Sequence, residues 1–460
     1  MLLVPLGSTE TIGASCHYLQ VDGTGILLDA GVDPEHDGPK GLPCFDALLP
    51  RREYPVDHVV VTHAHHDHLG GLPVAIREFP TARVHMTPAT RVLADVLLPA
   101  SARLQKRKLK EGSSIHQPIF DEAELEMLAY LYEDRELDER FSLSGRGGTP
   151  IAARLMNSGH ILGSAGISLT YREHGAERTF FYTSDTNVHH QTIIPGAVYP
   201  EQVDTLMIET TACADPDAEL YSRRGEERRL GEAIERVLAG GGTVLIPVFA
   251  LGRAQEVLAL IQRYKDRRVI PFDTPVYTAG SMRAVAGLYD RMRTSTPRLN
   301  PDFEVEQVDQ LRVPRSHSRI AETLSEPSIH VVSSGMMFER TLSNQLATMV
   351  VESERNAVFF VGYVRDDSPG GALLNAERGD SVQISPDAGE QVVNCHVDRF
   401  RLSGHSHRQD LLALVGRLAP RDVVLVHGES TAQEWMRSAV ESEFPGVNVI
   451  TPTTGKEINL

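Results

Sequence analysis

One short run restricts this chain more than any other feature: Thr62-His63-Ala64-His65-His66-Asp67-His68. Its histidines follow residues 56–62, Val-Asp-His-Val-Val-Val-Thr, a β-branched stretch long enough for a buried strand and too short for a helix. In α/β sheets the C-terminal ends of strands are where sites gather. Imidazole and carboxylate donors at this spacing suit zinc, with manganese or iron as less favoured ions. Strand-then-loop placement turns His63 and His65 toward one ion and Asp67 and His68 toward a second. His66 then points away as a spacer, and His58, inside the strand, reads as a packed or solvated histidine.

A loop of this kind needs ligands from elsewhere, so the fold must return other strand ends to it. Three segments offer them: Asn157-Ser158-Gly159-His160-Ile161-Leu162-Gly163-Ser164, Tyr182-Thr183-Ser184-Asp185-Thr186 and Leu425-Val426-His427-Gly428-Glu429. Together they complete a consistent two-metal set. His63, His65 and His160 hold one ion, Asp67, His68 and His427 the other, and Asp185 bridges.

The intervening pattern is compatible with such a return. At 460 residues the chain exceeds the size at which a single core stops growing, so two domains are expected. Residues 15–21 and 25–31 read as a hairpin around Asp22-Gly23-Thr24. Residues 88–139 read as mostly helical, with the basic stretch Arg103 to Lys110 on a solvated face. Strands are expected at 151–155, 166–171, 178–183 and 204–209. The alternation then becomes α/β, with helices at 226–238 and 254–264 and strands at 243–248, 329–334 and 357–362, which suggests a parallel sheet. Strands return at 400–405, 423–427 and 457–460. The layout expected is one domain interrupted by another.

A net charge of −17 counts against a broad, non-specific duplex binder. Bound divalent cations would offset it locally. The four cysteines, Cys16, Cys44, Cys213 and Cys395, form no Cys-x-x-Cys pair and read as reduced thiols. No stretch approaches the roughly 18 apolar residues of a membrane span. The N-terminal residues lack a basic segment followed by a sustained apolar one, so a cytoplasmic protein with no membrane partner is expected.

In order along the chain, Asp29, His63-x-His65-x-Asp67-His68, His160, Asp185 and His427 resemble the five motifs of the metallo-β-lactamase fold. The long gap between Asp185 and His427 resembles the insertion of the β-CASP nucleases. Glu209 in Ile208-Glu209-Thr210-Thr211 matches that family's acid, and residues 241–256, Gly-Gly-Thr-Val-Leu-Ile-Pro-Val-Phe-Ala-Leu-Gly-Arg-Ala-Gln-Glu, match its helix-preceding run. His405 in Leu402-Ser403-Gly404-His405-Ser406-His407 matches its extra histidine. The branch that looks most similar contains the endonuclease subunit of the pre-mRNA cleavage and polyadenylation machinery, with archaeal and bacterial relatives.

The resemblance implies an αββα sandwich with an inserted β-CASP α/β domain: residues 1–208 and 395–460 in the sandwich, 209–394 in the insert. It implies two zinc ions, or manganese, and cleavage of single-stranded RNA, endonucleolytic with 5′–3′ exonucleolytic action as an addition, leaving a 5′-phosphate and a 3′-hydroxyl. In that scheme Asp67 and Asp185 serve the reacting centre as ligands, and His405 is the general acid. Glu209 orients His405, Asp29 orients a ligand histidine, and Arg253 or Ser334 meets phosphate, with a structural salt bridge at the helix start as the equal alternative for Arg253. A homodimer is carried as the expectation for assembly.

The chain departs from the family pattern mainly outside the ligands. Met337-Phe338-Glu339-Arg340 follows Ser334-Gly335-Met336 where a glycine pair is usual. Residues 362–371, Gly-Tyr-Val-Arg-Asp-Asp-Ser-Pro-Gly-Gly, keep the pattern only in part. Thr210-Thr211-Ala212-Cys213 replaces Ser-Thr-Tyr-Gly, and His407 stands where Asp is common. Added bulk and negative charge raise DNA or a small phosphodiester as alternative substrates. An inactive RNA-processing scaffold is a further alternative, opposed by the complete ligand set.

Overall fold

A computed structural model describes residues 1–48 and 56–460. The chain divides into two compact units, one comprising Met1–His189, Gly196–Pro216 and His405–Leu460, the other His190–Pro195 and Asp217–Gly404.

The first unit is built on two seven-stranded sheets. In the first, the order is Ile458–Asn459, Leu2–Pro5, His17–Val21, Thr24–Leu28, His58–Val60, Arg83–Met86 and Tyr132–Asp134. His17–Val21 and Thr24–Leu28 form the expected antiparallel hairpin, with His17 opposite Leu28. In the second, the order is Asn448–Ile450, Asp422–Val426, Thr205–Glu209, Ala176–Tyr182, Ala165–Glu173, Ile151–Asn157 and Arg140–Leu143. Side-chain alternation decides what each face does. Leu19, Ile26, Leu28 and Val60 from one sheet pack on Leu155, Ile167, Leu169, Phe180 and Met207 from the other. Full burial of each such side chain contributes about 1.5–3 kcal/mol. Phe181, Leu206, Ile208, Val423 and Leu425 point the opposite way, onto Leu411, Val415, Met436 and Val440 of the helices Arg408–Leu418 and Ser430–Glu443. On the first sheet's side, the helix Pro88–Lys110 starts where Thr87 Oγ1 accepts the Thr90 N–H (3.1 Å) and runs against Tyr132–Asp134. The layering is helix, sheet, sheet, helix.

The second unit holds a six-stranded sheet in the order Leu311–Arg312, Val276–Thr278, Ser328–Val332, Thr243–Pro247, Ala357–Phe360 and His396–Arg399. Every pairing in it is parallel, as the near-continuous apolar strands require of a sheet covered on both faces. Leu245, Val332, Val358 and Phe360 pack with Leu346, Val350 and Leu373 from the helices Leu342–Val350 and Pro369–Leu374. The Glu256 carboxylate accepts the backbone N–H groups of Thr192, Ile193 and Ile194, which secures His190–Pro195 to the helix Arg253–Asp266.

Three details differ from the sequence expectations. The tract 88–139 is not helical throughout: after Pro88–Lys110 and Glu122–Leu128 it enters the strand Tyr132–Asp134, hidden because an edge strand of three residues carries two acids. Residues 400–405 are not a strand. The strand is His396–Arg399, and the Phe400 N–H donates to Phe360 O (2.7 Å) as the chain leaves the parallel sheet. The units divide after Pro216 and after Gly404, against 208 and 394 in the sequence reading. Thr205–Glu209 is paired to Asp422–Val426 in the sandwich, and His396–Arg399 to Ala357–Phe360 in the parallel sheet. No helix among the described residues is long and apolar enough to cross a membrane.

Candidate metal centre

The strand His58–Val60 ends just before the histidine run, and the run turns at once into the short helix His66–Leu69 with His65 as its N-cap. That change of direction separates the donors into two groups. His63 Nε2 lies 3.2 Å from His65 Nδ1, which lies 3.0 Å from His160 Nε2. Asp185 Oδ2 stands 3.5 Å from both His63 Nε2 and His160 Nε2. In the second group, His68 Nε2 and His427 Nε2 are 3.3 Å apart, and Asp67 Oδ2 is 3.2 Å from His427 Nε2. Asp185 turns its other oxygen to this group, with Oδ1 3.3 Å from His68 Nε2 and 3.2 Å from His427 Nδ1. The structure therefore brings all seven expected ligands together, with Asp185 between the two groups.

The donor chemistry fits divalent cations. Asp185 Oδ1 is shielded from solvent, yet it accepts no hydrogen bond from any described residue despite two imidazoles in reach. A buried carboxylate oxygen without a proton donor is costly unless a cation faces it. Likewise, His63 Nε2 and His160 Nε2 converge on His65 Nδ1, and a cation placed among these three ring nitrogens would take a lone pair from each. Burial, then the charge of His68, pushes His63 well below its usual pKa, which favours the neutral form that cation binding requires.

Around the ligands stands a buried hydrogen-bonding frame. Asp29, at the end of Thr24–Leu28, accepts the Thr62 N–H with Oδ1 (2.8 Å). Its Oδ2 takes the Thr62 hydroxyl (2.9 Å), His68 Nδ1 (2.9 Å) and the Tyr182 hydroxyl (3.3 Å). Asp29 thus fastens both His68 and the start of the loop that carries it. Gly31 passes so close to the loop that a Cβ there would sit 1.7 Å from the Asp67 carbonyl oxygen.

Glu209 ends the strand Thr205–Glu209, and both of its oxygens lie 3.0 Å from His405 Nδ1. Its oxygens also accept the N–H groups of Thr186 (2.7 Å) and Thr211 (3.3 Å). Burial works to lower the His405 pKa, but the Glu209 charge and hydrogen bond, then Asp185 and Asp67, outweigh it and raise it to about 9. The His405 ring stands 4.5 Å from that of His160, centroid to centroid.

The remaining candidates separate. His66 is exposed and in neither donor group. His58 is packed, its Nδ1 3.0 Å from His85 Nε2. Arg253 and Ser334 both belong to the second unit. Burial, then Arg223, lowers Arg253 to about 10, and its guanidinium donates to Gln191 Oε1 (2.5 Å). Ser334 Oγ accepts the Phe338 N–H (3.2 Å). Three supporting groups leave no mark in the sequence. Thr211 Oγ1 lies 3.0 Å from His427 Nδ1, Ser184 Oγ lies 2.6 Å from Thr62 Oγ1, and Tyr182 reaches Asp29. Hydroxyls carry no spacing signal, although Ser184 directly precedes Asp185 and Thr211 lies two residues after Glu209.

Comparison with known proteins accords with this geometry. Residues 10–167 match the family described as the metallo-beta-lactamase superfamily, 254–373 the Beta-Casp domain, and 390–452 the Zn-dependent metallo-hydrolase RNA specificity domain. The chain is 26% identical to cleavage and polyadenylation specificity factor subunit 3-I of Arabidopsis thaliana, covering 100% of this chain and 64% of that protein. It is 27% identical to the Dictyostelium discoideum subunit 3, again over 100% of this chain and 57% of that one. It therefore spans less than two thirds of these relatives. The protein named "Probable RNase MJ4" of Methanocaldococcus jannaschii is 27% identical over 100% of both chains. Among solved structures, a protein of unknown function from Enterococcus faecalis V583 shares the fold, with a TM-score of 0.53 at 15% identity and full coverage of both chains. Three family matches in this order, on a sandwich that gathers seven metal-type donors, have one reading: the chain belongs to the metallo-β-lactamase superfamily, in its β-CASP subfamily, and carries a divalent-metal centre of that family's kind.

Proposed function

We propose that the protein is a two-metal phosphodiester hydrolase that cleaves single-stranded RNA. The observation that carries this is Asp185, whose two oxygens each face a separate group of ligand atoms, one with His63, His65 and His160, the other with Asp67, His68 and His427. The nitrogen-rich donor set favours zinc, with manganese as the alternative. Divalent cations held there supply water activation and charge neutralisation for an in-line phosphoryl displacement.

The chain's own groups supply the proton. Glu209 receives the Nδ1–H of His405 and keeps the ring protonated at neutral pH, which leaves the Nε2 proton for the departing oxygen. Asp29 holds His68 through Nδ1, so that its Nε2 lone pair faces the ligand group. Arg253 and Ser334 are proposed to meet substrate phosphate, supported by a guanidinium Nη1 that is buried and without a hydrogen-bond partner among the described residues. RNA as substrate is supported by the match to an RNA specificity domain and by relatives named as ribonucleases.

The test uses the full chain loaded with zinc or manganese and offered end-labelled single-stranded RNA, DNA and a cyclic dinucleotide. Internal cleavage of RNA to 5′-phosphate and 3′-hydroxyl ends is expected, with any 5′–3′ shortening seen in the same assay. Hydrolysis of DNA or the dinucleotide with RNA left intact would overturn the substrate assignment. Sedimentation of the same preparation tests the homodimer, which a monomeric species would rule out.

A further inference from the structure

A second convergence of imidazole and carboxylate groups stands in the first unit and shares no residue with the centre described above. His189 Nε2 lies 2.8 Å from Asp410 Oδ2, and His407 Nε2 lies 3.2 Å from the same oxygen. One donor atom from each of the three residues falls within 4.8 Å of the others.

Ordinary hydrogen bonding does not account for this. Asp410 Oδ2 is shielded from solvent and accepts no hydrogen bond from any described residue, although two ring nitrogens stand beside it. The nitrogens approach the oxygen without an N–H aimed at it. Asp185 Oδ1 shows the same combination, a buried carboxylate oxygen near two imidazoles with no donor directed at it. His407 Nδ1 is also buried and without a hydrogen-bond partner among the described residues.

Short connections hold the three residues in place. The Ser406 N–H donates to Thr186 O (2.8 Å) and the Val188 N–H to Ser406 Oγ (3.0 Å), which fastens the segment carrying His189 to the one carrying His407. The His189 N–H donates to Asn187 Oδ1 (3.0 Å). His407 is the N-cap of the helix Arg408–Leu418, and Asp410 lies in its first turn. Donors about 2.0–2.1 Å from a tetrahedral zinc stand on the order of 3.3 Å apart; His407 Nε2 is at 3.2 Å from Asp410 Oδ2, and His189 Nε2, at 2.8 Å, would draw back slightly to admit the ion. The His189 side chain is 57% exposed, so the solvent side stays open to water or a phosphate oxygen.

We propose that His189, His407 and Asp410 form a third metal site, for a borderline divalent cation such as zinc, with open positions toward solvent. Two imidazoles and one carboxylate are a common zinc donor set when a coordination position is kept free. The proposal is independent of the reaction assigned to the main centre.

Metal analysis of the full chain, equilibrated with buffered free zinc, tests it. The H189A/H407A double variant should hold one equivalent of zinc fewer than wild type, and a mild chelator should remove that equivalent from wild type first. Equal zinc content in the two proteins would overturn the site. If the double variant does not fold, D410N is read in the same way, because it preserves the shape of the first helical turn: one equivalent lost supports the site and none lost rejects it. Failure of the main centre to bind zinc would lower wild type and variant alike and leave the difference intact.

Discussion

Asp29→Asn isolates the contribution of a buried charge to the metal centre, because it changes no ligand. Asp29 is fully buried and has a φ of 59°, a left-handed conformation that asparagine also tolerates, so the backbone is retained. An asparagine oxygen can keep the Thr62 N–H now held at 2.8 Å. Its amide group must then face His68 Nδ1, at 2.9 Å, and the Thr62 hydroxyl, at 2.9 Å, and both of these donate to the native carboxylate. Two donors in contact force His68 to turn or to move its proton to Nε2, the nitrogen that faces Asp67, Asp185 and His427. Loss of such a supporting carboxylate typically lowers metal affinity about 10–100-fold, or about 1.4–2.7 kcal/mol. Zinc competition against a chromophoric chelator measures this directly, with circular dichroism of the metal-free protein as the check on folding. A folded D29N variant that binds zinc as tightly as wild type would refute the idea that Asp29 orients His68.

Other perturbations act on different parts of the site. His405→Ala should lower kcat by about 10²–10⁴-fold with zinc content unchanged; loss of zinc would make it a structural residue instead. Glu209 holds His405 protonated above its usual pKa, so the acid form is present below the raised value and is lost as pH rises through it. Glu209→Gln should therefore move the alkaline limb of the kcat profile to lower pH, and an unmoved limb would deny the pairing a role in proton donation. Gly31→Ala should cost zinc binding, because its Cβ would collide with the Asp67 carbonyl oxygen; metal analysis of the folded fraction decides it. Leu155→Ala, fully buried between the two sheets, should destabilise the protein by about 2–5 kcal/mol in chemical denaturation.

The sequence disclosed donors better than supports. His63 to His68 could be recognised because ligand side chains at fixed spacing are rare by chance, and each partner, His160, Asp185 and His427, lies just past a β-rich run. Thr211, Ser184 and Tyr182 could not, since their roles depend on which strand ends the fold brings together. Tertiary context also governs the missed strand Tyr132–Asp134, whose pairing with Arg83–Met86 overrides a local preference that reads as helix. Residues 400–405 misled in the opposite direction: Phe400 and Leu402 alternate as a strand would, but the parallel sheet ends at Arg399. His407, a substitution by sequence alone, gains imidazole and carboxylate neighbours only when folding places His189 and Asp410 beside it.

Anomalous diffraction at the zinc edge, from crystals of the zinc-loaded full chain, tests the central claim most directly. Two peaks should flank Asp185, one among His63, His65 and His160, the other among Asp67, His68 and His427. A single peak there, or none with zinc bound elsewhere, would contradict the two-metal centre on which the proposed hydrolysis depends.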